Sequence, residues 1–343
     1  MSARDEISGQ SKSQSLAVDV KGLSKHFVVR SRKPGLFGAI TGLFNATTNH
    51  VDAVKSVDLR IERGERIAFV GPNGAGKSTT IKMLTGILHP SSGEARVLGY
   101  VPWKDRKELG RRIGTVFGQR SQLWPHLPAT DTFDLLAKVY DLAPKAYRAR
   151  CDQLVERFQI GELVKRPVRG LSLGERMRCE IVASLLHAPE MLFLDEPTIG
   201  LDVTAKAVIR DMVKQSSIED GATVLLTSHD TGDMERVCDR CVVIADGSLL
   251  LDKPVSELRS AFIQRKLITL MTKDAQIELD LPGITIIERE PYKLKLEVET
   301  DQTPVEAVID AAMRASRLRD LTVEDPPMEE IVSLIYAMKA GEE

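Results

Sequence analysis

The sequence predicts an α/β fold, in which a parallel sheet is covered by helices, followed by a smaller α+β domain. Short apolar segments that are typical of buried strands end at Gly71, Asp195 and His229, and segments with helical patterning lie between them. Strand–helix–strand alternation favours a parallel sheet with helices on both faces. Ligands of such sheets gather at the carboxyl ends of the strands. These three residues are therefore the first candidates for a functional site.

The composition indicates an ordinary globular protein with one large and one small domain. Of the 343 residues, 43% are hydrophobic and 28% are charged, and the formal net charge is −2. A near-neutral chain argues against a broad nucleic-acid surface. No apolar run approaches the roughly 20 residues of a membrane helix. The four cysteines do not suggest a disulfide framework, and we expect a cytosolic protein.

Shifts in composition along the chain predict the domain boundaries. Residues 1–15 are polar and rich in Ser and Gln, which predicts a disordered tail. Residues 16–252 form the predicted main domain, with an insertion at 30–50 and a mainly helical part at about 121–187. Residues 253–343 form the predicted α+β domain, with short strands and with helices at 304–315 and 328–338.

A glycine-rich loop follows the strand at 67–70 and precedes a helix at 78–88. Residues 71–78 match the P-loop pattern in the strand–helix context that such a loop requires. Glycines allow a tight turn whose N–H groups point inward, beside the positive end of the helix dipole. Lys77 would add a full charge at the phosphates of a nucleotide, and the Ser78 hydroxyl would ligate Mg²⁺. The predicted binding residues of this loop are Gly71, Pro72, Asn73, Gly74, Ala75, Gly76, Lys77, Ser78 and Thr79.

Two consecutive carboxylates follow the buried-type strand at 191–194. Pro197 disfavours the helical region for Glu196 and predicts an extended backbone there, so that neighbouring side chains point to different sides. Asp195 would then face the metal, and Glu196 would polarise the attacking water. His229, at the end of the strand at 224–228, is placed to hydrogen-bond the γ-phosphate.

A third motif lies between the loop and the carboxylates. Residues 171–176, Leu-Ser-Leu-Gly-Glu-Arg, resemble the LSGGQ signature of the ABC transporter ATPases, and the resemblance covers about residues 16–251. Ser172 and Glu175 have the spacing of a capping box that opens a helix, and a capped helix N-terminus is an anion site. The resemblance implies that Ser172, Gly174 and Glu175 bind the nucleotide held by a second subunit in a head-to-tail dimer. Leu173 and Glu175 replace the family's Gly and Gln; we expect an active ATPase whose rate these departures affect.

The resemblance implies the family's fold and further site residues. The fold is a P-loop NTPase core with an antiparallel β subdomain and a helical subdomain. Gln119 resembles the glutamine that senses Mg²⁺ and the membrane partner, and His229 resembles the switch histidine. Asp202 ends a loop at 199–202 that links the two sites of the dimer, and Phe27 stands where the family places an aromatic ring against adenine.

The implied function is that of an ATP-hydrolysing transporter subunit with ATP and Mg²⁺ as cofactors. Glu196, His229 and Gln119 would be catalytic, and Ser78, Gln119 and Asp195 would bind the metal. The implied partners are a separate multi-span permease and a second ATPase subunit in a homodimer, with no nucleic acid. The protein would lie on the cytoplasmic side of the cell membrane, held there by the permease.

Two features bear on the branch of the family. The small C-terminal domain resembles that of drug and antibiotic exporters, and the insertion at 30–50 is similar in place to one in polysaccharide exporters, which favours export over import. The alternative class is a soluble ABC ATPase that acts on ribosomes or nucleic acid. Such proteins generally carry two cassettes or a long coiled coil, whereas this chain has one cassette and no sustained heptads.

The insertion permits two interpretations. Its apolar residues recur at helix-like spacing after a basic start. It is either a loop folded back on its own domain or a short amphipathic helix that meets the permease or the membrane surface. The apolar residues are Leu36, Phe37, Ile40, Leu43 and Phe44.

Overall fold

The structure, a computed structural model, describes residues 16–31, 47–118, 120–261 and 265–324. The predicted tail at 1–15, most of the insertion at 30–50, Gln119 and the predicted final helix at 328–338 lie outside these ranges. The chain divides into two compact units, Met1–Asp252 and Lys253–Glu343. Among the described residues, no helix has both the length and the apolar character that crossing a membrane requires.

The first unit contains two sheets. Its strands are β1 (Leu16–Ser31), β2 (Thr47–Glu62), β3 (Arg66–Val70), β4 (Ser92–Val97), β5 (Ile113–Phe117), β6 (Met191–Asp195), β7 (Thr223–Ser228), β8 (Arg240–Ala245) and β9 (Ser248–Pro254). Its helices are α1 (Lys77–Leu84), α2 (Arg106–Gly110), α3 (Ala129–Val139), α4 (Pro144–Arg157), α5 (Leu173–Leu185), α6 (Val203–Asp220) and α7 (Thr231–Val237), with a 3₁₀ turn at Val168–Gly170.

The larger sheet positions the predicted site. Its strand order is β5-β6-β7-β3-β8-β9, and β5, β6, β7, β3 and β8 pair in parallel. In this register Val70 lies beside Ser228, and Asp195 lies beside Thr227. The residues that follow β3, β6 and β7 therefore meet at one edge of the sheet, as the sequence predicted. The core of these strands is apolar because both faces are covered; Phe69, Phe193 and Leu225 are fully buried.

The smaller sheet of this unit is antiparallel, with the strand order β2-β1-β4. Its apolar residues alternate along the strands, which leaves one face in the core and the other in water. Val18, Leu59 and Val97 from this sheet share one buried cluster with Ile67 and Phe193 of the parallel sheet. The α/β core with an antiparallel sheet that the resemblance implied is thus confirmed.

Between β5 and β6 the chain is mainly helical. Within the predicted helical part, Phe133 and Ala137 lie one turn apart on α3 and are buried. After β6, α6 extends to Asp220 and stops at Gly221, whose φ is 70°. The left-handed conformation of this C-terminal glycine supplies the stop signal.

In its described residues, 253–261 and 265–324, the second unit contains a four-stranded antiparallel sheet with a helix packed on it. Helix α8 (Val255–Ala261) precedes β10 (Arg265–Thr272), and β11 (Ile284–Glu290), β12 (Lys293–Glu299), α9 (Val305–Ala315) and β13 (Leu318–Glu324) follow. The strand order is β11-β12-β10-β13. Ile268, Leu296 and Val298 of the sheet share a buried cluster with Val308 and Ala312 of α9. The strands and the helix at 304–315 predicted for this region are present, with boundaries shifted by a few residues.

Candidate functional site

The loop between β3 and α1 turns sharply at glycines that other side chains could not replace. Gly76 has a φ of 104°, in the left-handed region that disfavours residues with a Cβ. A Cβ on Gly71 would lie 2.4 Å from the Ile244 carbonyl oxygen, and one on Gly76 would lie 2.4 Å from the Ala53 carbonyl oxygen. The backbone of the loop therefore packs directly against β8 and β2. The N–H groups at the start of α1 lie beside a cavity that Lys77 and Ser78 line.

Lys77 is the buried cation of this loop. Its side chain is 5% exposed, and its Nζ donates to the carbonyl oxygens of Gly71 at 2.6 Å and Pro72 at 3.1 Å. Burial lowers the pKa of Lys77, while the nearby carboxylates of Glu196 and Asp195 oppose that shift. The ammonium group is thus held against the carbonyl oxygens of the loop itself.

The Ser78 and Asp195 side chains form an oxygen-donor pair. The Ser78 hydroxyl donates to Asp195 Oδ1 at 2.9 Å, and Thr227 Oγ1 donates to the same oxygen at 2.7 Å. A hydroxyl and a carboxylate are hard oxygen ligands, and Mg²⁺ is usually bound by one or two such protein groups together with phosphate oxygens and waters. The pair at this edge of the sheet therefore fits Mg²⁺.

Glu196 corrects one sequence expectation. Pro197 predicted an extended backbone at Glu196, but its φ is 53°, in the left-handed region. Tertiary contacts override the local preference: Glu196 N donates to both the carbonyl and the hydroxyl oxygens of Thr227, each at 3.1 Å. A Cβ on Gly118 would lie 2.3 Å from the Glu196 carbonyl oxygen, so a glycine is needed beside this turn.

The two carboxylates nevertheless have different partners, as the sequence predicted. Asp195 contacts the Ser78 and Thr227 hydroxyls, whereas Glu196 Oε1 lies 3.7 Å from Lys77 Nζ and 3.7 Å from His229 Nδ1. The Glu196 side chain is 13% exposed, and the His229 side chain is 53% exposed. Glu196 is thus a shielded carboxylate, and His229 stands at the solvent-accessible side of the same site.

A cavity of about 400 Å³ brings Lys77, Ser78, Asp195 and Glu196 together, whereas His229 lies outside its lining. Its lining includes the phosphate loop, both carboxylates, and residues that the motifs did not indicate. The lining residues are Asn73, Gly74, Ala75, Lys77, Ser78, Lys82, Ile87, Phe117, Arg120, Asp195, Glu196 and Ile199. Phe27 lies on β1 opposite Val51 and outside this lining, with Lys25 Nζ 5.3 Å from its ring centre. Gln119 lies outside the described residues.

The predicted capping box opens α5. Ser172 Oγ accepts from Glu175 N at 3.2 Å, and Glu175 Oε2 accepts from Ser172 N at 2.7 Å. The hydrogen bond from the Ser172 backbone is the main cause that lowers the pKa of Glu175, with Arg166 adding to it. Glu175 therefore remains a carboxylate beside this helix N-terminus.

The signature residues line a second cavity, of about 300 Å³, together with the start of α6. Asp202 is the N-cap of α6 and accepts from Ala205 N at 2.8 Å. A Cβ on Gly174 would lie 2.9 Å from the Cβ of Ala205, so α5 and α6 approach closely at this point. Ser172, Gly174, Glu175 and Asp202 thus lie together, but in a different cavity from the phosphate loop.

The sequence motifs did not indicate three residues that contact or line this site, Thr227, Lys82 and Arg120. Thr227 bonds both Asp195 and Glu196, and the signal was its place next to the end of β7, which pairs in parallel with β6. Lys82 is one helical turn after Ser78, on the same face of α1, which the helical period could have indicated. For Arg120 no motif gave a signal besides its position next to Gln119.

The chain is similar in sequence to known proteins. The ABC transporter family matches residues 54–199. The chain is 30% identical to the daunorubicin resistance ATP-binding protein DrrA3 of Streptomyces coeruleorubidus, over 81% of this chain and 89% of the relative. It is also 30% identical to the linearmycin resistance ATP-binding protein LnrL of Bacillus subtilis (strain 168), over 81% of this chain and 91% of the relative.

A solved structure has the same fold. The dimeric ATP-binding cassette MJ0796 in a post-hydrolysis state, bound to ADP and Pi, matches with a TM-score of 0.57 and 26% identity. The match covers 69% of this chain and 98% of that cassette. With its phosphate loop, paired carboxylates and capped signature helix, the chain belongs to the ABC transporter ATP-binding proteins and is the ATP-binding and ATP-hydrolysing subunit of an ABC transporter.

Proposed function

We propose that this subunit hydrolyses MgATP at two shared sites of a homodimer and thereby powers export through a separate multi-span permease. The observation that carries the proposal is that two adjacent carboxylates have different contacts. Asp195 contacts the Ser78 hydroxyl, and Glu196 lies 3.7 Å from both Lys77 Nζ and His229 Nδ1. This difference in contacts supports a role in metal binding for Asp195 and a role as the base for Glu196.

The binding step uses the phosphate loop. The N–H groups at the start of α1 and the Lys77 ammonium neutralise the β- and γ-phosphates of ATP. Ser78 and Asp195 would hold Mg²⁺, which supplies charge neutralisation at the phosphate oxygens when bound. Gln119, which lies outside the described residues, is proposed as a further metal ligand.

The chemical step uses Glu196 and His229. Glu196 accepts the proton of a water that attacks the γ-phosphate, because it is a shielded carboxylate next to the phosphate loop. His229 hydrogen-bonds the γ-phosphate from the exposed side of the site. Lys77 stabilises the negative charge on the phosphate oxygens and holds Glu196 by attraction, so that the base stays close to the transferred group.

The proposed dimer follows from the two separate cavities. Within one chain, the phosphate-loop residues and the signature residues line different cavities. A head-to-tail pair of subunits would place Ser172 and Gly174 of one copy against the nucleotide of the other. The dimeric cassette among the similar structures supports this arrangement. Phe27 lies on the part of β1 that extends beyond the pairing with β4 and pairs with β2 alone, and it is proposed to contact adenine.

The direction and the cargo are proposed from the relatives. Two proteins that this chain matches over most of their length are named for daunorubicin and linearmycin resistance, which favours export of a small drug-like molecule. Placement on the cytoplasmic side of the membrane follows if a permease holds the subunit there. These relatives do not favour the alternative of a ribosome or nucleic-acid ATPase.

Fractionation after coexpression with the permease tests this proposal. We expect the subunit to pellet with membranes when its multi-span permease is present, and to remain in the supernatant without it. Membrane vesicles from the same cells should then accumulate or expel an anthracycline only with ATP, and the Lys77→Ala variant should abolish that movement. Sedimentation with ribosomes regardless of the permease would contradict the proposal.

A further inference from the structure

A buried polar cluster lies behind the catalytic groups and is centred on Asp233. Asp233 is 1% exposed, and its Oδ2 accepts from Thr198 Oγ1 at 2.5 Å and from Ser228 Oγ at 2.6 Å. Its Oδ1 accepts from Arg210 Nε at 2.6 Å. The donors come from three elements: the turn after β6, the end of β7, and α6. None of these residues belongs to the motifs that assign the function.

One arm of the cluster holds the turn that carries Glu196. Thr198 is two residues beyond Glu196 and is 4% exposed. Glu196 has a φ of 53°, a conformation that costs a non-glycine residue free energy and persists only where surrounding contacts enforce it. The bonds from Glu196 N to Thr227 fix one side of this turn, and the bond from Thr198 to Asp233 fixes the other.

A second arm holds the backbone on both sides of His229. Ser228 donates to Asp233, and its Oγ accepts from Asp230 N at 2.9 Å. The Asp230 carboxylate pairs with Lys206 at 2.5 Å and with Arg210 at 2.9 Å. Burial raises the pKa of Asp230, but Lys206 and Arg210 outweigh it and hold the pKa below its usual value. His229 is 53% exposed, so its place depends on these flanking residues more than on packing.

The third arm reaches α6, which begins at the signature cavity. Arg210 lies two turns along the helix whose N-cap is Asp202, and it bonds both Asp233 and Asp230. A Cβ on Gly232 would lie 2.9 Å from Arg210 Nη2, so the guanidinium is enclosed. Movement of α6 would therefore be transmitted to both the Glu196 turn and His229.

We propose that Asp233 is a positioning residue that sets the spacing between Glu196 and His229, and that Thr198 is the contact through which it acts on the base. The proposal rests on the roles of Glu196 and His229 in the proposed function. A buried ion pair that serves stability alone would not need a hydroxyl from the catalytic turn. Misplacing a catalytic group by about 1 Å costs on the order of 100-fold in rate, so loss of one such contact should appear in turnover.

The test compares Thr198→Val with Thr198→Ser in the full chain. Valine keeps the shape and removes the hydroxyl, whereas serine keeps the hydroxyl. At a temperature where the variant is folded, we expect Thr198→Val to lower kcat for ATP by between about 10- and 100-fold, with KM for ATP near the parent value. Thr198→Ser should retain most of the turnover. Both variants keep the ion pair between Asp233 and Arg210, so both are expected to fold.

A second pair of variants separates positioning from stability. Asp233→Asn should lower kcat, whereas Asp220→Asn should lower the thermal midpoint without changing kcat at a temperature where the protein is folded. Asp220 is a matched control because it accepts from two arginines, Arg150 and Arg157, and lines neither of the two cavities. If Asp233→Asn fails to fold, the comparison between the two Thr198 variants alone decides whether the cluster positions Glu196.

Three outcomes overturn the proposal and differ in what else they affect. Parent-like kcat in Thr198→Val, or equal loss in Thr198→Ser, would contradict positioning while leaving Glu196 as the base. Parent-like turnover in Glu196→Gln would remove the base itself, and with it both the proposed mechanism and this inference.

Discussion

Lys77 Nζ lies 3.7 Å from Glu196 Oε1, inside a loop where the lysine side chain is only 5% exposed. The same carboxylate oxygen lies 3.7 Å from His229 Nδ1. A buried cation, a shielded carboxylate and an exposed histidine thus converge on one point at the carboxyl edge of the parallel sheet. Their convergence is the geometry on which the proposed roles of Glu196 as base and His229 as phosphate contact rest.

The close approach of Gly71 to β8 predicts that any side chain at position 71 lowers the free energy of unfolding. Gly71→Ala would bring a Cβ to 2.4 Å from the Ile244 carbonyl oxygen. Overpacking of this kind typically costs about 1–3 kcal/mol, and we expect that loss in the free energy of unfolding, measured by urea titration. Gly110→Ala is the control, because a Cβ there meets no atom within 4 Å. Equal stability of the two variants would contradict the predicted contact.

His187 predicts a loss of stability in mild acid. Its Nε2 donates to the Ile113 carbonyl oxygen at 2.9 Å, and burial lowers its pKa to about 4. Between about pH 6.5 and about pH 4, the histidine binds a proton in the unfolded chain but remains neutral in the folded protein. The free energy of unfolding therefore falls as the pH drops through this range. The slope from this group is at most about 1.4 kcal/mol per pH unit.

The measurement is urea unfolding at several pH values for the parent and for His187→Gln. The variant should show a shallower loss of stability between pH 6.5 and 4, whereas His126→Gln, at an exposed position, should follow the parent. If the two variants have the same pH dependence, the buried neutral state of His187 is wrong.

The charge of Glu175 predicts how the departure from the family signature affects the KM for ATP. Its side chain closes the capping box and remains charged, next to the proposed position of a second subunit's nucleotide. Glu175→Gln keeps a capping group and removes the charge, so we expect unchanged helix stability and a lower KM for ATP. Glu175→Ala loses the cap and should cost about 1 kcal/mol in unfolding free energy. A higher KM in Glu175→Gln would show that the carboxylate assists binding.

The sequence predicted the elements that repeat a simple pattern. Apolar strands that end at Gly71, Asp195 and His229 could be placed at one edge of a sheet, because parallel strands share that edge. The capping box at Ser172 and Glu175 was predicted from spacing alone and is present.

Features set by contacts distant in the sequence were not predictable in the same way. The left-handed backbone of Glu196 contradicts the preference that Pro197 imposes, because Thr227, 31 residues away, holds its N–H. The Asp233 cluster likewise joins residues from α6, β7 and the turn after β6, and no local pattern marks it. Such contacts depend on how elements pack, which periodicity does not report.

Separate cavities for the phosphate loop and the signature residues predict complementation between two inactive subunits. A dimer of one Ser172→Arg copy and one Lys77→Ala copy has one intact shared site, since both lesions fall in the other site. We expect the mixture to recover part of the ATPase activity that each variant lacks alone. Native mass spectrometry should first confirm that mixed dimers form. Inert mixed dimers would contradict two shared sites that work independently.

The most direct measurement is single-turnover and steady-state ATP hydrolysis by Glu196→Gln in the full chain. This change keeps the size and polarity of the side chain and removes the base. We predict that hydrolysis falls by about 10²- to 10⁴-fold while binding of a fluorescent ATP analogue persists, and that ATP shifts the variant to the mass of a dimer. Turnover close to that of the parent protein would contradict the assignment of Glu196 as the catalytic base.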